Sequence, residues 1–527
     1  MDSRIIIHIK GVHFEIDKDK SCTGDFYLKS TNYGYNFEYV PNDITIFSEL
    51  DLQPNQCRIS FFLLEVNEIV YHEESLNTII LNFIFSKGMS FPYFRFSYFA
   101  QATVSHLLGF LSFKNAIQQF PTSSNRYQVV KPDNRNYQVI DNDEYISPKH
   151  LFYLVQHKQI IHNLKSTDLS SEEEPLTLDD CLTFFQENGI CSHFENLKRE
   201  VFRRGLTNEA RCRVWPYLLG LSSPSKSTIE NEKFLNRKLK EYQSIRKQWK
   251  SITESQQKEI PEIAELVRVV ENDVKRTDRT LPQFQKDNSP NLVLLHNVLI
   301  SYALYNHDTG YVQGMGDLVS PFIILYIKNW TDNDHAEFYD GKIVTRDEAE
   351  SFMLWLLCGM MATMQHDRMF TELAPHQQFA MERAYEITKR TNPPLREWLV
   401  ENELTELFFL YRPILLLFKR EFDLSFVYRL WDSFFSHTKP FSFPRFFLAA
   451  VLMILFPRLM LHTKGGIGDV MSLTDRIIGS IDGYAALNIA IGLQERINAS
   501  GKTTEWALAA LPDKSEYRQY QSKYMST

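Results

Sequence analysis

The chain has 527 residues, 44% of them hydrophobic and 23% charged, with a net charge of −8, which is too long for one ordinary core and ordinary for a soluble globular protein. Acidic and basic residues are interspersed, which excludes a dedicated nucleic-acid surface. The six cysteines (Cys22, Cys57, Cys181, Cys191, Cys212, Cys358) are scattered without a C-x-x-C pair, so no zinc or redox centre is expected and a reduced, intracellular setting is the simplest account.

Along the chain, the apolar run near Ile5 is too short for a signal peptide, and Asp2 rules out myristoylation. Residues 1–130 read as a β-rich domain. Ile5–Ile9, Asp25–Leu28, Tyr35–Tyr39, Ile59–Leu64, Thr78–Phe85 and Phe94–Phe99 are short Ile-, Phe- and Tyr-rich segments between Asn, Asp, Gly and Pro turn signals. The period then changes, and Gln101–Phe113 predicts one amphipathic helix. Strands closed by a helix suggest a pleckstrin-homology-like α+β domain, a layout that other α+β folds share.

Residues 131–194 are polar and irregular, with an acidic run at 170–175, and read as a linker carrying short helices such as Leu151–Ile161. From Phe194 the period is helical. Leu235, Leu239, Tyr242, Ile245 and Trp249 form one stripe. Apolar helices are predicted at 292–305, 318–328, 351–364, 378–389, 404–419, 424–436 and 444–462, with no strand-rich segment between them. The longest apolar runs, Phe352–Met364 and Phe446–Phe456, fall short of the roughly 18 residues that a bilayer span needs and read as buried helices. An all-α domain over 195–475 and a helical extension over 476–527 complete the expected multidomain organisation.

Two strings stand out: Val270-x-x-Asp273-x-x-Arg276, on a predicted helix, and Tyr311-x-Gln313-Gly314, in a loop between helices. Taken alone, Asp273 and Arg276 would be a surface ion pair, because residues three apart share a helix face. Gly310 and Gly314 permit a tight backbone that approaches a partner closely and presents the Gln313 amide, which is both donor and acceptor. Other candidates fail. Gly501-Lys502-Thr503 imitates the end of a phosphate-binding loop, but Arg496 stands where the first glycine is required. The spacing of His366, Asp367 and His376 fits no helical metal pair. Trp431-Asp432 reads as core packing with a hydrogen bond.

With these strings, the second half resembles a TBC domain, the helical module whose members act as GTPase-activating proteins for Rab GTPases. The resemblance runs from Arg204-Gly205-Leu206-x4-Arg211-x3-Trp215-Pro216 through the arginine and glutamine strings to Tyr428-Arg429-Leu430-Trp431-Asp432, over about residues 195–475. DVKRTDRT, DTGYVQGMGDLVSP and LLLFKREF are its most specific strings. Val270 replaces the isoleucine of the family's arginine motif, a β-branched swap at a packing position. The order of β-rich domain, linker and TBC domain also resembles the branch whose amino-terminal domain is described as Rab-binding.

The resemblance implies that Arg276 is an arginine finger and Gln313 a glutamine finger, with Asp273, Tyr311, Gly314, Arg211 and Trp215 supporting the site. It implies GTP-loaded Rab partners and no cofactor of the chain's own, since GTP and Mg²⁺ belong to the GTPase. The protein would then be an activator completing another enzyme's site in trans, and not an enzyme in its own right. It also implies a part in vesicle trafficking from the cytoplasm, with peripheral recruitment to membranes and a second Rab, a lipid or a protein at the N-terminal domain. The competing readings are a non-catalytic Rab-binding adaptor, in which the helical domain only docks, and a plain helical scaffold.

Overall fold

The computed structural model describes residues 3–509, apart from 18–19, 32–33, 49, 51, 53–55, 76, 86–92, 98, 132–144, 165–173, 333, 371–374, 464–465 and 500–504. It divides into two compact units, Met1–Asn163 and Leu164–Thr527. The first unit is built on β1 (Arg4–Asp17), β2 (Lys20–Thr31), β3 (Gly34–Pro41), β4 (Arg58–Phe62), β5 (Val66–Ser75), β6 (Thr78–Phe85) and β7 (Phe94–Ser97), followed by a helix at Ala100–Phe113. Neighbours in the sheet run β4-β3-β2-β1-β7-β6-β5, continued at the β4 edge by Tyr145–Ile146 and at the β5 edge by the Ile117–Gln119 and Arg126–Val129 hairpin. The long first strand joins the two hairpin sets, since its Phe14 pairs with Phe94 of β7.

All six expected strands are present, and alternation explains them. Phe26, Phe37, Phe61, Phe83 and Phe94 point inward and are buried, stacking edge-on or tilted with centroids 4.9–5.3 Å apart along the Phe37–Phe83–Phe61 and Phe26–Phe94 contacts. Strand β5 has no counterpart in the sequence reading, because its second half, Tyr71–Ser75, is polar and faces outward. A helix spans Pro148–Leu164, around the expected Leu151–Ile161. Residues 170–173 of the acidic run and the Gly501–Thr503 string lie outside the described residues.

The second unit is helical, as expected, with one interruption. Ile327–Trp330, His335–Phe338 and Ile343–Thr345 form a three-stranded antiparallel sheet, which corrects the expectation that no strands occur there. Each strand has three or four residues, too few to display alternation in sequence. Only the inward Ala336, Phe338 and Val344 betray it. The predicted 404–419 helix is also corrected: the segment is a 3₁₀ turn (Phe408–Leu410) and one short helix (Tyr411–Leu415). Leu407, Leu417 and Phe418 have φ of 53, 47 and 61°, left-handed conformations that an α-helix of L-residues excludes.

The Leu424–Ser436 helix matches its predicted bounds. The Phe443–His462 helix is longer than the apolar run suggested, and with a mean hydropathy of 1.7 it has the length and composition of a membrane span, yet 78% of that window is buried inside the unit. It is apolar over most of its surface because most of that surface is buried in the unit. The extension after 475 packs onto it through Gly483–Ala499. A Cβ at Gly483 would come within 2.4 Å of the Phe426 ring, so glycine is what lets that helix start where it does.

Candidate functional site

The Pro261–Val274 helix ends before Arg276. Its last turn closes with the Arg276 and Thr277 amides both donating to the Asp273 carbonyl at 3.0 Å. Arg276 therefore projects from the turn after the helix, where its Nε donates to the Asn272 carbonyl at 3.0 Å, a resting place that the negative end of the helix favours. The side chain is exposed and enters no ion pair among the described residues.

Asp273 points the other way. Only 3% exposed, its Oδ2 accepts from the Tyr311 hydroxyl and from the Gly314 amide, the latter at 2.8 Å. The surface ion pair that the spacing suggested does not form, because Arg276 has left the helix and Asp273 is spent on another segment. The pairing works only if the 311–314 backbone comes very near: Gly314 has φ of 102°, and a Cβ there would stand 3.0 Å from Leu416. Gly316 is similarly tight, with Thr277 Oγ1 at 3.0 Å from the Cβ it lacks. Burial and the adjacent Asp273 carboxylate push the Tyr311 phenol far above its usual range, so Tyr311 stays a donor at every physiological pH. Gln313, between Tyr311 and Gly314, is exposed.

One carboxylate thus holds together the two turns that carry Arg276 and Gln313, and leaves both side chains facing outward. A flexible cation and an amide on fixed backbone, both open to the exterior, are placed to act on a partner.

Asp273, Tyr311 and Gly314 are brought together. Arg211 and Trp215 are not part of that cluster. Both are buried and converge on Asp432. Arg211 Nη2 donates to its Oδ2 at 2.8 Å, Trp215 Nε1 to Oδ1 at 2.8 Å, and the Leu206 amide to Oδ2 at 3.0 Å. Around them Trp215 meets Phe435, Phe322 and Tyr428 edge-on at 5.1–5.8 Å. This fully desolvated carboxylate ties the 206–218 segment to the Leu424–Ser436 helix and serves the fold.

Sequence reasoning assigned no role to a second set of charges around the turns. Lys419 bridges Asp278 and Asp317, and Arg420 donates to Asp317 at 2.6 Å. The strings DVKRTDRT, DTGYVQGMGDLVSP and LLLFKREF contain all four residues, but nothing in a string shows that they meet. His366, weighed as a metal ligand, is buried, and its Nε2 donates to the Leu415 carbonyl at 2.8 Å; among the described residues no group of three potential ligands gathers around it.

Residues 208–460 match the family model described as the Rab-GTPase-TBC domain. TBC1 domain family member 17 of Homo sapiens is 31% identical over 258 residues, 49% of this chain and 36% of that protein. The GTPase-activating protein gyp7 of Schizosaccharomyces pombe is 25% identical over 330 residues, 59% of this chain and 41% of that protein. The chain therefore spans less than half the length of these curated relatives. A solved structure, the Ypt/Rab-GAP domain of Gyp1p, is 21% identical with a TM-score of 0.49, covering 61% of this chain and 97% of that one. By that match, residues 208–460 of the chain carry a Rab-GTPase-TBC domain.

Proposed function

We propose that the chain is a GTPase-activating protein for Rab-family GTPases, in which Arg276 and Gln313 enter the partner's site as arginine and glutamine fingers. The observation that carries this is the Asp273 carboxylate, which joins the two turns while both finger side chains remain exposed. As the γ-phosphoryl departs, charge builds on its oxygens and on the leaving oxygen. A guanidinium that arrives there stabilises the transition state more than the ground state. An arginine supplied in trans to a small GTPase is worth about 10³–10⁵ in rate, or roughly 4–7 kcal/mol. Gln313 orients the attacking water by geometry, so a neutral amide suffices. GTP and Mg²⁺ belong to the GTPase. A cytoplasmic role in membrane trafficking, with recruitment through the N-terminal unit, is part of the same proposal.

The test is single-turnover hydrolysis by a panel of GTP-loaded Rabs. Wild-type protein should accelerate one or a few of them, while Arg276→Ala, Arg276→Lys and Gln313→Ala lose the acceleration by orders of magnitude and keep the wild-type fold. Lysine fails because an ammonium lacks the planar fork. Full activity in Arg276→Ala sinks the two-finger reading.

A further inference from the structure

Lys419 sits on the segment between the Tyr411–Leu415 and Leu424–Ser436 helices, more than a hundred residues beyond both turns. Its ammonium is buried, with 7% of the side chain exposed. It binds Oδ1 of Asp278, two residues after Arg276, and lies 3.0 Å from Oδ1 of Asp317, four residues after Gln313. Asp317 is only 3% exposed; its Oδ2 takes both Nε and Nη2 of Arg420, at 3.0 and 2.6 Å. The other Asp278 oxygen is buried and has no partner among the described residues, so Lys419 is what holds that carboxylate. Asp278 itself has φ of 49°, a left-handed conformation that costs a non-glycine residue energy and persists only where its surroundings enforce it.

We infer that Lys419 is a positioning residue for the two-finger reaction, setting the distance between the Arg276 and Gln313 turns through Asp278 and Asp317. This rests on the GTPase-activating reading above. Asp273 fixes the start of the Arg276 turn against the glutamine loop; Lys419 fixes its exit, at Asp278, against the first turn of the helix that follows. Two attachments on either side of Arg276 define the orientation of its backbone, which one attachment leaves free to swing. An ammonium suits the task because its donors are not confined to a plane and can serve two carboxylates from different directions. Arg420, the partly exposed neighbour, completes the neutralisation of Asp317.

The experiment compares wild-type, Lys419→Met and Lys419→Arg proteins, together with a Lys419→Met/Asp278→Asn double variant that removes the charge left unpaired. Amide hydrogen exchange and stimulated GTP hydrolysis are both measured. The inference expects faster exchange confined to 275–280 and 310–317 in Lys419→Met, with exchange around Asp432 unchanged. It expects kcat to fall roughly 10–100-fold, the scale of a misplacement near 1 Å, while KM for the GTP-loaded Rab changes little. The double variant should recover the wild-type melting temperature without recovering kcat, and Lys419→Arg should recover part of kcat. Unchanged exchange in both turns, a global loosening that the double variant does not repair, or full kcat in the double variant each overturns it. A wild-type protein that accelerates no Rab overturns the GTPase-activating reading and the catalytic half of this inference, while the exchange data still decide whether the clamp exists.

Discussion

Asp273 and Asp432 are both buried carboxylates filled by donors from distant segments, and they differ in what those donors are. Asp432 faces a guanidinium, an indole and an amide. Removing it strands a buried Arg211, so Asp432→Ala should cost about 3–5 kcal/mol of unfolding free energy in chemical denaturation. Asp273 takes only neutral donors, a phenol and an amide, so Asp273→Asn should cost less, about 1–3 kcal/mol. Its larger effect should be on stimulated hydrolysis, because the Arg276 and Gln313 turns come apart while the Asp432 cluster stays whole. Equal stability losses with retained activity in Asp273→Asn would show that both are structural.

At the scale of elements, the unusual feature is the segment 404–418, rich in apolar residues and yet irregular. Its carbonyls need partners that an α-helix would have supplied, and His366 supplies one at Leu415. His366 follows the Arg346–Met364 helix, whose C-cap Gln365 turns left-handed at φ 50°, and so pins that helix end to the irregular segment. Burial holds its imidazole neutral, lowering the pKa from 6.5 to about 4. The unfolded chain binds a proton below pH 6.5 that the folded chain refuses. Stability should therefore fall as pH drops from 6.5 towards 4, by up to about 3 kcal/mol. The slope of unfolding free energy against pH over that range should flatten in His366→Asn; an unchanged slope would assign the acid sensitivity elsewhere.

For the whole molecule, each unit has its own core: an aromatic cluster of Phe26, Phe37, Phe61, Phe83 and Phe94 in the first, and the Trp215, Phe322, Trp431 and Phe435 cluster in the second. Both proposed finger residues, Asp273 and Lys419 lie in the second unit. Residues 164–527 expressed alone should fold, with helical circular dichroism and a cooperative melt, and should stimulate a substrate Rab with the kcat of the full chain. Loss of kcat in a folded fragment would place part of the catalytic apparatus in residues 1–163.

Local pattern was enough for a good deal of this. Alternating Phe and Ile gave the six strands and the 3.6-residue period gave most of the helices, while Arg276, Gln313, Asp273, Tyr311 and Gly314 were singled out by the resemblance to the TBC family and not by local pattern alone. The three-stranded sheet was hidden because strands of three or four residues carry too little alternation to read. The broken 404–418 segment was read as one helix because its crowded apolar residues mask any period, although Pro413 in its second half is a break signal. Arg211 and Trp215 were legible as important but not as belonging to Asp432, and Lys419 was visible only as a letter in a string. The sequence determined most of the elements that form, since propensity, burial pattern and residue type act over a few neighbours. Only the tertiary structure decided which carboxylate holds which turn, because those contacts join residues 38 to more than 200 positions apart and depend on where whole helices come to rest.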